Sequence, residues 1–563
     1  MFWGVSSSGK RVLAGGVCLA LAGAACSGDD APPASSTERA TGDDLLADVE
    51  VSRGPHSTIS AVVEAETSKD AVVSVEVDAD EGSVESPPPT EAGTSHRVPV
   101  VGMRAETTYT LRVTAAGTDG SDDSAEIEWT TGALPDDLPP LTVDVADADA
   151  IAPGVTLFTA SLGGGDDAPS EAEHTGYLVA VDGEGQVVWY FAAGPSFMEV
   201  SQTAQGTLLL QLGQTTIQEI DVLGNTVRSF ATRVAADLGT DLGGRALTTP
   251  DSEPLAIESS HHDLQQLDSG NIITLSTELV RLDDGTARGL CPDDPETDII
   301  SDTVVELSSA GEVVQEWPLT AVYDPVERPG AEMCVEPNPI APPTWFYPDA
   351  EGLRDWTHGN AVVVDEEANR MLVSLRHLDA VVALRYRDDA EGPAGELLWE
   401  LGPEGTLELA GEGDWLYHPH APELQDDDTL LVYDNGNGRP GTGEGADPAY
   451  TRVVLYDIDE DAGTVTQVWE HRDTTADGRP VFAPFVGDAD RLENGNVLID
   501  HGGLSDPDGT VYTRLLEVVP GPAPDGSEDE IVFDLTVRDG EQGWASYRAD
   551  RLPSLYGTGS PAG

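Results

Sequence analysis

Lysine is almost missing from this chain. Lys10 and Lys69 are the only two, and 28 basic residues stand against 103 acidic ones, a formal net charge of −75 over 563 residues. A surface of that sign repels phosphate backbones and argues against nucleic-acid binding. Membrane-length apolar runs are missing too: Val12 to Ala25 is shorter than the roughly 20 residues a relaxed transmembrane helix needs. There is no glycine-rich loop of the nucleotide-binding kind and no nucleophilic-serine elbow, and Gly163–Gly165 reads as a flexible loop. Cysteine numbers only 4 and histidine only 11, so where each one stands carries weight.

Lys10 and Arg11, the apolar run and the small residues before Cys26 form an export signal over residues 1–25. Cys26 after "LAGAA" resembles a bacterial lipoprotein acylation site, with Gly23 where leucine is usual, and Ser27 is the kind of residue outer-membrane lipoproteins carry. The expectation is an exported outer-membrane lipoprotein acylated at Cys26 and facing the periplasm or cell surface, attached to the membrane by its lipid alone. A soluble secreted protein is the alternative. Residues 26–46 are polar and Pro-containing and read as a disordered tether. With Cys26 acylated, Cys291 and Cys334 are left to form a disulfide in an oxidising compartment.

Residues 47–135 alternate apolar and polar residues between turns, and "VGMRAETTYTLRVTA" resembles the fibronectin type III signature, so a seven-stranded β-sandwich is expected there. "LPDDLPP" marks its end. From 141 to 563 two phrases alternate six times. One is a strand, a polar turn and an apolar strand, as in "GYLVAVDGEGQVVWYF" and "DTVVELSSAGEVVQEW". The other precedes it, as in "HHDLQQLDSGNIITLS" and "DADRLENGNVLIDHG". Two hairpins per repeat make a four-stranded blade, so the pattern predicts an all-β chain with a six-bladed β-propeller after the sandwich.

Seven of the histidines fall in the second phrase: His261, His262, His358, His377, His418, His420 and His501. Side chains alternate faces along a strand, so parity from the turn says which ones point together. His261, His358 and His418 lie six residues before Leu267, Val364 and Leu424, and Asp263, Asn360, His420 and Asp488 lie four before Leu267, Val364, Leu424 and Leu492. These share a face and an end of their blades, and His262 falls on the other face. Pairing Val364 with Arg370 sets His358 opposite Arg376, and the same count sets Asp488 opposite His501. Imidazoles and one guanidinium are thus expected at one mouth of the channel.

Three stretches carry a specific resemblance: "HHDLQQLDSGNIITLS", "DWTHGNAVVVDEEANRMLVSLRHLDAVVAL" and "HAPELQDDDTLLVYDNGNGR", with the terminal "YRADRLPSLY" in support. The region after the sandwich resembles the bacterial arylsulfotransferase family. The resemblance implies a six-bladed propeller that moves a sulfuryl group from a phenolic sulfate ester to a phenol through a transient sulfohistidine, with no nucleotide donor, no cofactor and no metal. It puts the nucleophile at His420, with His358 and Arg376 as stabilisers of anionic oxygen, Asn360 beside them and His261 as the first histidine of the set. His262 competes with His261, and His418 competes with His420. His418 and His501 would line the substrate, and Arg439, in "DNGNGR", could meet a sulfate from outside. A homodimer is one assembly open to it. Two rival classes remain: a metal-dependent propeller lyase or hydrolase, kept open by "HHD" and Asp488–His501, and a non-catalytic surface-binding propeller.

Overall fold

A computed structural model describes residues 36–557 apart from 39–44, 80–83, 163–175, 193–196, 239–250, parts of 283–297 and 332–352, and 426, 444, 476–477 and 541–542. Cys26 and Gly163–Gly165 lie outside the described residues. Strands dominate the regular structure of the described residues, and the α-helix Arg233–Leu238 is only six residues long.

Among the described residues the N-terminal unit holds six strands, five of them in the stretch where seven were expected and the sixth, Ser36–Glu38, before it. One cause is a long strand, Ala61–Ala79, which pairs with Leu46–Arg53 and Gly93–Val100 through its first half and with Thr108–Gly117 through its second. It passes from one side of the sandwich to the other without a break. Ser36–Glu38, in the stretch read as tether, pairs with Leu46–Arg53 as an edge strand. Alternation explains the core: Val49, Val51, Val63, Val73, Leu111 and Trp129 point inward and are buried. This unit docks on the first sheet that follows it. Thr58 N donates to the Tyr190 hydroxyl at 2.8 Å, Val101 N donates to the Tyr556 hydroxyl at 3.0 Å, and the Arg104 guanidinium meets Asp182 at 2.6 Å.

The described residues of 141–557 form six sheets of four or five strands each, antiparallel apart from one short parallel pairing in each of three sheets. Six strands lie innermost: β1 (Phe197–Gln202), β2 (His261–Gln266), β3 (Gly359–Asp365), β4 (Pro419–Leu424), β5 (Asp488–Arg491) and β6 (Ala549–Leu552). β1 packs on β2, β2 on β3, β3 on β4, β4 on β5 and β5 on β6. β6 belongs to the first sheet, where it pairs with Val155–Leu162, so the chain's end closes the ring against its beginning. Leu141–Ala146 does the converse and adds an outer strand to the last sheet.

Apolar side chains fill each gap between neighbouring sheets. Leu275 and Ile273 meet Val362 and Val373, Leu372 and Val381 meet Leu430 and Val432, and Tyr433 meets Ile499 and Val497. Phe158 and Val179 meet Leu515 and Phe533, which joins the last sheet to the first. At about 25 cal/mol per Å² of buried apolar surface these layers dominate the stability of the domain. Gly495 shows how the hairpins turn. At φ 89° it sits between Leu492 and Asn496, whose N–H and C=O close the turn at 2.8 Å, a conformation that β-carbon-bearing residues rarely adopt. The disulfide expected between Cys291 and Cys334 is present. It spans a sequence separation of 43, and closing a loop of that length removes unfolded-chain entropy worth roughly 4 kcal/mol.

Candidate active site

The inner strands do not keep simple alternation at their starts. Register shifts fall between His261 and Leu264, between Gly359 and Ala361, and between His420 and Glu423. Four residues there have positive φ without being glycine: His262 at 62°, His358 at 47°, His418 at 54° and Ala421 at 42°. Such strain persists only where surrounding structure enforces it, and it gathers at functional sites.

This local geometry overturns one expectation. His262 does not face away. Its ring lies 4.9 Å from that of His358 and 5.0 Å from that of His261, and 5.7 Å from Tyr547. The left-handed backbone at His262 turns its side chain toward the others, which parity counting cannot anticipate. His261 stands behind it: its Nε2 is 3.2 Å from an Asp302 carboxylate oxygen and its Nδ1 is 2.8 Å from His262 Nδ1.

His358 does lie opposite Arg376, whose N–H donates to the His358 carbonyl at 3.1 Å. The route differs from the expected one. Val364 pairs with Met371, not Arg370, and the bulge at Asn360 restores the register so that Gly359 meets Leu375. His358 Nδ1 is 2.5 Å from Asp355 Oδ2. Burial pushes the His358 imidazole below its ordinary pKa, and Asp355 opposes that. Burial would raise Asp355, yet His358 and His377 hold it well below the usual carboxylate range. His377, which the sequence reading left without a role, lies with its ring tilted 4.6 Å from that of His358 and accepts a hydrogen bond from Arg376 at 2.8 Å.

His420 is buried, with Nδ1 2.6 Å from Asn435 Oδ1. Burial and then the Arg376 charge push its pKa well below the ordinary histidine value, so it is neutral at neutral pH. Asn360 ties the strand carrying it: its Nδ2 donates to the Pro419 carbonyl at 2.8 Å, and Ser374 Oγ donates to the same oxygen at 3.1 Å. The Asn360 carbonyl accepts from the Tyr547 hydroxyl at 3.0 Å and from Arg548 at 3.1 Å. Arg548, just before β6, reaches Glu199 of β1 at 3.3 Å and Asp263 of β2 at 3.2 Å. Burial opposes its charge, but Asp263 and Glu199 hold it protonated. One guanidinium thereby ties the inner strands of four sheets. A cavity of ≈140 Å³ opens beside His262 and His358, lined also by Asp302 and Asp355.

His418 borders the cluster and is buried, its ring 6.0 Å from that of His377 and its Nδ1 2.9 Å from Asp379. Two expected site residues stand differently. His501 does not join the cluster. Asp488 pairs with Asp500 instead of His501, and this one-residue slip turns His501 to the other face, where its Nδ1 meets the buried Tyr433 hydroxyl at 2.9 Å. Arg439 does not face a ligand from outside. It is buried, with NH1 at 2.8 Å from Asp414 and NH2 at 2.5 Å from Asp434, between the rings of Tyr417 and Tyr450. Asp355, Asn435, Tyr547 and Arg548 were missed as site residues, although Asp355 stands in "DWTH" and the last two open "YRAD".

Asp355, His358 and His377 bring ligand atoms within 4.8 Å of one another. They do not suit a divalent ion. The His377 Nε2 lone pair is taken by Arg376, and its Nδ1 hydrogen goes to the Asp355 carbonyl at 2.9 Å. The adjoining guanidinium would repel a cation.

Clustered neutral imidazoles beside buried arginine, at the centre of a closed ring of sheets, define a propeller-like protein with a site suited to an anionic group. The chain belongs to the arylsulfotransferase family: the family model described as Arylsulfotransferase (ASST) matches residues 142–548, and the Arylsulfotransferase Ig-like domain matches 49–132. An arylsulfate sulfotransferase AssT of Escherichia coli O6:H1 is 25% identical over 332 residues, 52% of this chain and 52% of that protein. The AssT of Lelliottia amnigena is 25% identical over 252 residues, 38% of this chain and 40% of that protein. The chain thus spans about half the length, or less, of these curated relatives. A solved Bacteroides caccae protein of unknown function covers 70% of this chain and 100% of its own at 13% identity, with a TM-score of 0.36, too slight a likeness to bear on function.

Proposed function

We propose that the chain transfers a sulfuryl group from a phenolic sulfate ester to a phenolic acceptor, without a nucleotide, through a sulfohistidine at His420. The observation that carries this reading is the buried His420 imidazole, fixed by the 2.6 Å contact of its Nδ1 with Asn435 in a setting where burial and the Arg376 charge push its pKa down. A lone pair on the imidazole attacks sulfur, the S–O bond to the phenolate breaks, and the departing oxygen takes a proton. The acceptor oxygen then attacks the same sulfur, the N–S bond breaks, and the acceptor's proton is removed. His262, backed by His261 and Asp302, is the proton carrier in this scheme. Arg376 and His358 face the negative charge on the sulfuryl oxygens. The six sheets are read as six propeller blades. A chromogenic aryl sulfate tests the activity: phenolate release should rise when a second phenol is added and a new sulfate ester should appear. Release of inorganic sulfate alone would mean hydrolysis instead.

The same reading places the chain outside the cytoplasm, anchored through Cys26, on the signal-like residues before it. Fatty-acid labelling of producing cells should mark the wild type and not Cys26→Ser. Equal labelling of both would reject the anchor.

A further inference from the structure

We infer that Asn435 is the positioning residue that selects the reactive tautomer of His420, an inference that rests on the nucleophilic role proposed above. The side-chain amide of Asn435 has its orientation decided by its surroundings. It is fully buried, and its Nδ2 donates to two backbone carbonyls, Ala483 and Val486, at 2.8 Å each. Two carbonyl oxygens can accept only from an N–H, so both amide hydrogens are placed there and the amide oxygen must face the other way. That oxygen lies 2.6 Å from His420 Nδ1. An amide oxygen can only accept, so the imidazole hydrogen resides on Nδ1. A neutral ring has one such hydrogen, and Nε2 therefore keeps the lone pair that attack on sulfur requires.

The loop that supplies the two carbonyls is itself pinned. Thr451 Oγ1 accepts from Ala483 N at 2.8 Å and donates to the Asn435 carbonyl at 2.9 Å. The ring of His420 is thus oriented by a rigid backbone frame from the two sheets that carry β4 and β5. An amide differs from a carboxylate here in one further respect. When Nε2 binds sulfur the ring becomes cationic, and Asn435, which cannot take the Nδ1 proton, leaves it so. A sulfuryl group on a cationic imidazolium has a better leaving group behind it than one on a neutral ring, which speeds its passage to the acceptor.

The test begins with the resting wild type, labelled with ¹⁵N-histidine, at a pH where His420 is neutral. The His420 signals are identified by their loss in His420→Ala. Nδ1 should resonate as the protonated, pyrrole-type nitrogen and Nε2 as the unprotonated, pyridine-type one. The reverse assignment would overturn the inference whether or not the protein transfers sulfuryl groups. In Asn435→Ala the tautomers should mix or reverse. The first-order rate of sulfuryl transfer to the enzyme should fall by roughly 10²–10⁴, with KM for the donor changing far less. An Asn435→Ala protein with the wild-type tautomer and rate would also overturn it. Should that variant not fold, the wild-type spectrum still decides. A correct tautomer in a protein that turns over no aryl sulfate would instead reject the sulfotransferase reading.

Discussion

His420→Ala protein, incubated with an aryl sulfate, should carry no sulfuryl group and release no phenol above background. The wild type, given donor alone, should show a mass increment of one sulfuryl group on the peptide containing His420. A covalent intermediate also imposes a kinetic form. The donor's phenol leaves, with the sulfuryl group kept on the enzyme, before acceptor reacts, so double-reciprocal plots at several acceptor concentrations should be parallel. Loss of a covalent nucleophile removes the pathway itself, so this is the largest effect expected of any single substitution here. His418→Ala should keep at least partial activity, because its imidazole is engaged by Asp379 at 2.9 Å. If His420→Ala still accumulates the adduct, the nucleophile is another histidine of the cluster. Intersecting lines with no adduct would mean direct transfer between donor and acceptor.

Arg376→Ala should lower kcat by roughly 10²–10³, the usual cost of removing one donor to a charge that develops in the transition state. Its side chain also holds His377 at 2.8 Å and the Pro484 carbonyl at 3.1 Å. Some loss of thermal stability should follow, but the sheets around it pack through apolar layers that it does not enter. The pH profile provides a second readout. The Arg376 charge is among the causes that depress His420. Removing it should raise that pKa and move the acid limb of the transfer rate toward higher pH. An unchanged rate and an unchanged acid limb would remove Arg376 from the site.

Much of the architecture was legible because it depends on local periodicity. Alternation with polar turns marks strands, and its repetition in 141–563 foretold the six sheets seen here. Composition with spacing pointed to the histidine-rich phrases and to Cys291–Cys334. The opposition of His358 and Arg376 came out as expected although the register beneath it was one residue off, because the bulge at Asn360 compensated.

What the sequence alone determined was therefore which residues form strands, which segments carry the histidines and which family the chain resembles. Tertiary structure decided which side chains meet. Parity holds only while φ stays in the extended region, and His262, His358, His418 and Ala421 leave it. That departure brought His262 into the cluster, and a single-residue slip took His501 out of it. Arg548 lies far along the chain from the residues it ties together, and closure of the ring of sheets brings it there, whereas Asn435 follows the partner strand of His420's own hairpin. Pairings of that kind depend on how six sheets pack in three dimensions, a property that no local pattern of residues encodes.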